Sequence, residues 1–277
     1  MGTTAREWAI ITPTYHLDYD QFALMCESMD RFVVGKWHHY VVVNATDYAM
    51  FAKFAGPRRT VLENTKILPK WLRYVGKLPR VRSGNFFFSW RTGFFFGWHM
   101  QQLVKIAMAY YIKQDAMMLV DSDLFFIRRF NLDSMIKDGR LPFVRLGEDL
   151  NQTGAEPPPM FQHAIKLLGL SRSIPTFAYA YNIVVWDRKT VLEMCAFLEK
   201  KYNKHWIATL SGLQTISEGS LYGLFVDYVL ADKNRFAHEN YYLTKTVHGD
   251  HAIHGAELEE FVSNIEGHAV ALGFQSS

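Results

Sequence analysis

Short apolar runs that stop at polar or turn residues recur along this 277-residue chain. Residues 8–12, 40–44, 60–62, 117–120, 142–145 and 183–186 have the length and character of strands. Between them, apolar side chains return at helical spacing. Asp18 or Asp20 opens a helix carrying Phe22, Met25, Met29 and Phe32 on one face, and a second begins near Trp98 and ends before Asp115. Asp187 opens a third, with Val191, Met194 and Leu198 on one side, and Ser217 a fourth, through Leu221, Leu224, Phe225 and Tyr228. Strands alternating with helices in the first half predict an α/β fold: a mostly parallel sheet flanked by helices. The second half is less regular and is broken at Glu156-Pro157-Pro158-Pro159, which must be extended. Without repeats or low-complexity tracts, residues 1–277 read as one domain.

The sharpest local signal follows the run Ala116-Met117-Met118-Leu119-Val120, which has no polar side chain and reads as a fully buried strand. It ends at Asp121-Ser122-Asp123. If the chain stays extended, Asp121 and Asp123 share one side and Ser122 points away. Two adjacent carboxylates are costly to bury unless a positive charge joins them, and a hard divalent ion, Mg²⁺ or Mn²⁺, suits two carboxylate oxygens. On the preceding helix Trp98, Gln101, Gln102 and Lys105 fall on one face, beside a core-facing stripe of Leu103, Ile106, Ala107 and Tyr110. From Lys105 to the helix end is about 13 Å at ~1.5 Å per residue. From Ala116 to Asp121 is about 16 Å at ~3.3 Å per residue. The helix runs back along the strand, so Lys105 should lie level with Asp121. There it could neutralise charge on a departing diphosphate, or form a supporting salt bridge.

Charge and composition narrow the possibilities. Apolar residues make up 49% and charged residues 21%, as in an ordinary globular protein. A net charge of +3 and the absence of a recognised module argue against nucleic-acid binding. Cys26 and Cys195 are far apart and read as buried thiols in a reducing compartment. With Arg6 and Glu7 just before the first strand, and no long apolar run, a cytoplasmic protein is expected, with the inner face of the membrane as an alternative address. No acidic residue lies between Glu63 and Asp115, a stretch holding Lys66, Lys70, Arg73, Lys77, Arg80, Arg82, Arg91, Lys105 and Lys113. It is either a solvated basic face or a field for phosphates or an anionic membrane. The same stretch holds Phe86, Phe87, Phe88, Trp90, Phe94, Phe95, Phe96 and Trp98, readable as core, as a platform for an acceptor sugar or as an interfacial anchor.

Lys105, followed after a helix and a strand by Asp121-Ser122-Asp123, resembles the core signature of GT-A glycosyltransferases, glycogenin-like enzymes among them. The stretch from Gly97-Trp98-His99-Met100-Gln101-Gln102-Leu103-Val104-Lys105, with Thr12-Pro13-Thr14-Tyr15 and Ser217-Glu218-Gly219-Ser220-Leu221-Tyr222-Gly223, is closer still to a little-described bacterial GT-A-like family. That resemblance implies a GT-A, Rossmann-like fold with a nucleotide- and metal-binding half (1–130) and an acceptor-side half (131–277). It implies that Thr12, Pro13, Thr14 and Asp47, with Gln101, Gln102 and Asn182, contact the nucleotide-sugar, and that Asp121 and Asp123 hold the metal. A late histidine would complete the metal site, His248 first and His251 second. It implies catalytic roles for Lys105 and Glu218, the latter as the base that deprotonates an acceptor hydroxyl, or else as a helix-capping partner. The implied activity is metal-dependent sugar transfer from a nucleotide-diphosphate donor to a saccharide or lipid-linked acceptor, in bacterial surface glycan synthesis. Two other readings stay open: a non-catalytic sugar-nucleotide-binding subunit, and a haloacid-dehalogenase phosphatase. The latter needs Thr or Val where this chain has Phe125. A nucleotidyltransferase would need glycine in Thr12-Pro13-Thr14-Tyr15, which has none.

Overall fold

The computed structural model describes residues 6–76, 86–147, 158–171, 174–175, 177–179, 181–213, 215–248, 265 and 268–275. Five strands form the central sheet: β1 (Glu7–Pro13), β2 (Lys36–Val43), β3 (Arg59–Glu63), β4 (Ala116–Val120) and β5 (Ile183–Asp187). Their order is β3-β2-β1-β4-β5; the first four are parallel and β5 runs antiparallel to β4. Among the described residues the longer helices are α1 (Tyr19–Phe32), α2 (Gly97–Tyr111), α3 (Pro159–Leu168), α4 (Arg188–Tyr202) and α5 (Glu218–Tyr228). The fold is mixed α/β, a mostly parallel sheet with helices packed on it. None of the described helices is long and apolar enough to cross a membrane.

Apolar side chains without interruption suit β4 to an interior position: all five of its residues are buried, between β1 and the edge strand β5. Asp187 and Ser217 cap their helices, accepting from the backbone N–H of Thr190 and Ser220. Asp18 precedes α1 but makes no capping bond. Cys26 and Cys195 are free and buried, and burial pushes both thiols up to about 12.

Three parts of the chain depart from expectation. Pro158 is extended, as its neighbour requires, but Pro159 starts α3 rather than continuing a break; a proline's missing N–H costs nothing in a first turn. The aromatic run folds as an antiparallel meander of Arg73–Gly76, Phe86–Ser89 and Gly93–Phe96. A late strand absent from the apolar runs above lies at Thr244–His248. It pairs with Ala271–Gln275, which pairs in turn with Leu124–Phe126, directly after Asp123.

Gly223 in α5 is a close-approach glycine: a Cβ there would stand 2.1 Å from the ring of Tyr179. Tyr179 is buried and its hydroxyl donates to Asp227 Oδ2 at 2.5 Å, so the ring cannot readily retreat. Gly223→Ala is expected to destabilise the protein by about 1–3 kcal/mol, the usual range for overpacking. A urea midpoint unchanged from wild type would show that the ring moves freely.

Candidate functional site

Doubly wound sheets bind ligands outside the carboxyl ends of their strands, where the strand order reverses. Here that point lies between β1 and β4. A cleft of about 420 Å³ opens there. One wall comes from the chain after β1 and from α1, with Pro13, Tyr15, Asp18 and Gln21. The facing wall is the polar stripe of α2: Trp98, Gln101, Gln102 and Lys105. Asp121, Ser122 and Asp123 complete the lining.

Lys105 and Asp121 are level, as the two rises imply, with Nζ to Oδ1 at 3.0 Å. The same ammonium donates to Glu218 Oε1 at 2.9 Å, a contact spanning 113 residues of sequence. Gln102 sets its amide against Glu218 as well, and the orientation with its nitrogen toward the carboxylate satisfies both groups. Burial disfavours the charge on Lys105, but Glu218 and Asp121 outweigh it, so its pKa is raised and it stays protonated. Glu218 stands at the first turn of α5, where the helix dipole favours its negative charge. Glu218 is buried behind Lys105, committed to it and absent from the cleft lining.

Asp121-Ser122-Asp123 also differs from the extended form. The chain turns at residues 122 and 123, so Ser122 does not point away but faces the cleft with both aspartates. Its hydroxyl donates to Asp18 Oδ2 at 2.7 Å. Asp123 Oδ1 is buried with no hydrogen-bond partner. Burial first, then the charge of Asp121, raises the Asp123 carboxyl to about 6. Asp18 is raised by burial and by Asp121. Asp121 keeps 39% of its side chain open to the cleft, yet burial of the site raises it as well, against the pull of Lys105. Lys105 therefore leaves carboxylate charge uncompensated.

Among the described residues no group of three or more His, Cys, Asp or Glu is placed to hold a metal ion. The donor chemistry still fits a hard cation: Asp123 has an orphaned oxygen, and Asp121 and Asp18 raise its affinity for positive charge. His248 ends the strand Thr244–His248; its side chain, and the whole of His251, lie outside the described residues.

The other expected contacts divide. Pro13 lines the cleft, but Thr12 is wholly buried, its Oγ1 3.1 Å from His39 Nε2, so its side chain cannot reach a nucleotide. Thr14 is buried, with Oγ1 unpartnered. Asp47 sits at the carboxyl end of β2 and accepts from the backbone N–H of His16 at 3.2 Å. Asn182 supports the site from behind: its carbonyl accepts from Asp121 N at 3.1 Å, and its side chain lies where a Cβ on Gly273 would come within 2.5 Å. Sequence reasoning missed Tyr15, Gln21 and Asp18. Asp18 was read as a helix cap; its place just after the β1 loop was the only signal of another role.

A family model described as "Family of unknown function (DUF6492)" matches residues 9–265. No curated protein matches the chain significantly. Similar solved structures include an active-site mutant of LgtC, at 12% identity and a TM-score of 0.47, covering 96% of this chain and 86% of that one. Galactosyltransferase LgtC in complex with donor and acceptor sugar analogs is similar at 11% identity and a TM-score of 0.47, with the same 96% and 86% coverage.

Two outcomes are expected from the charge balance. Lys105→Met strands Glu218 and should destabilise the protein by about 3–5 kcal/mol, with partial recovery in Lys105→Met/Glu218→Gln, measured by chemical denaturation. A single variant as stable as wild type would mean that the ion pair contributes nothing. The raised Asp123 carboxyl makes the folded state bind its proton more tightly than the unfolded chain does. Its contribution to metal-free stability therefore falls as pH rises from about 4 to about 6. Asp123→Asn should remove that slope and melt higher than wild type at about pH 8 without metal.

Proposed function

We propose, for a chain that belongs to the family of unknown function DUF6492, that this cleft binds a nucleotide-sugar diphosphate together with Mn²⁺ or Mg²⁺ and transfers the sugar to an acceptor. The observation that carries the reading is the orphaned, buried Asp123 oxygen beside a lysine-held Asp121, at the reversal point of a parallel sheet. The GT-A-like character of the fold, implied by the resemblance of its motifs, belongs to the same proposal.

In this reading Asp121 and Asp123 hold the metal, which when bound neutralises diphosphate oxygens. Lys105 lies within the same cleft and carries a permanent positive charge toward the leaving diphosphate. Glu218 acts on Lys105 rather than on substrate, and Gln102 on Glu218: the contacts hold the ammonium in place before a donor arrives. Gln101 and Trp98, on the same helix face, are positioned for the sugar, with the indole as a stacking surface. Asp47 is assigned to the ribose or base, and a late histidine, His248 or His251, to the remaining metal position. The acceptor is a saccharide or a lipid-linked saccharide, and bacterial surface glycan synthesis is the setting the resemblance implies.

One observation favours a second reading. With Glu218 committed to Lys105, the residue expected to deprotonate an acceptor is not free, which suits a sugar-nucleotide-binding subunit without transfer activity. Thermal shift against a panel of nucleotide-sugars, with and without Mn²⁺, separates these outcomes. A Mn²⁺-dependent gain that disappears in Asp121→Ala and Asp123→Ala supports the site. Retention of that gain in either variant overturns the metal assignment. Mn²⁺-dependent release of free sugar from the stabilising donor supports a transferase, and donor binding without such leakage supports the binding subunit.

A further inference from the structure

The meander before α2 buries part of its middle strand, with Phe86 and Phe87 at 5% and 3% exposure, and leaves its first strand in solvent. Tyr74 meets Phe87 at 5.2 Å but is itself 41% exposed. On the outer side the register sets Arg73, Phe88 and Phe94 abreast across the three strands. The Phe88 and Phe94 rings lie 4.9 Å apart and are 37% and 57% exposed. Trp90, at the turn joining the last two strands, is 72% exposed, with the Arg91 guanidinium 4.8 Å above its ring.

Exposed aromatic surface of this kind marks an interaction site, and its charge indicates the partner. The surrounding sequence has no carboxylate from residue 64 to residue 114, while Arg73 pairs with Phe88 and Arg91 lies against Trp90 and Trp71. A partner must offer negative charge at its surface and apolar material just beneath it. An anionic bilayer has that layering, and Trp with stacked Arg suits the boundary between headgroups and acyl chains.

We propose that the outer face of this meander docks the protein peripherally on anionic membranes, with Trp90, Phe88 and Phe94 entering the interface and Arg73 and Arg91 meeting lipid phosphates. The last strand of the meander runs directly into α2, whose Trp98 lines the cleft, so docking sets the cleft beside the lipid surface. The inference that the acceptor is lipid-linked rests on the transfer reading above; the docking itself does not.

Flotation of the full chain with phosphatidylcholine vesicles, with and without phosphatidylglycerol, tests this. Binding is expected only with phosphatidylglycerol and should weaken with added salt. Trp90→Ala/Phe94→Ser should lower binding at least ~10-fold, and Arg73→Glu/Arg91→Glu should abolish it, both with melting temperatures and Mn²⁺-dependent donor shifts unchanged. Failure to float with anionic vesicles, or flotation indifferent to these substitutions, overturns the proposal. So does self-association in sedimentation velocity that the same substitutions abolish in the absence of vesicle binding, since the face would then join copies of the chain. Vesicle binding without any donor shift would refute the transfer reading and leave docking intact.

Discussion

A single buried ammonium holds this site together. Lys105 sits on a helix before β4, Asp121 at the end of β4, and Glu218 at the start of a helix near the other end of the chain. Each carboxylate would be expensive to bury alone, and so would the lysine; together they make a low-dielectric contact that fixes three elements at once. The helix dipole of α5 adds to the stabilisation of Glu218, and Gln102 accounts for its remaining hydrogen-bonding capacity.

The arrangement is deliberately incomplete in electrostatic terms. Lys105 is shared between two partners, one of them outside the cleft, so Asp123 and Asp18 meet the cleft with little compensation. Carboxyls raised by burial and by one another form a site whose charge is balanced only by something that enters it. This separates a binding cleft from a structural ion network, in which every charge already has its partner.

Much of the site was legible because it depends on regular geometry. The rise of a helix against the rise of a strand placed Lys105 opposite Asp121, and the unbroken apolar run marked β4 as fully buried. What stayed hidden depends on contacts with no period. Glu218 reaches Lys105 across 113 residues, and no local pattern distinguishes that partnership from a free base. The turn at residues 122–123 reversed the expected direction of Ser122, because alternation holds only while the backbone remains extended. Thr12 belongs to a motif that the resemblance ties to the nucleotide, yet it lies within β1 and faces His39. The meander was missed because its aromatic runs do not alternate.

The antiparallel strand β5 has a consequence for modularity. It seals the flank of β4, and its neighbour Asn182 holds the backbone of Asp121 in place. A fragment ending near residue 130 would leave five consecutive apolar residues along an unpaired edge, a template for aggregation, and would leave Lys105 without Glu218. The half that carries the acidic pair is therefore not a portable cassette. Its cleft is assembled only when the late segments have folded back onto it, so a change in α5 would be felt there as a shift in where one lysine rests.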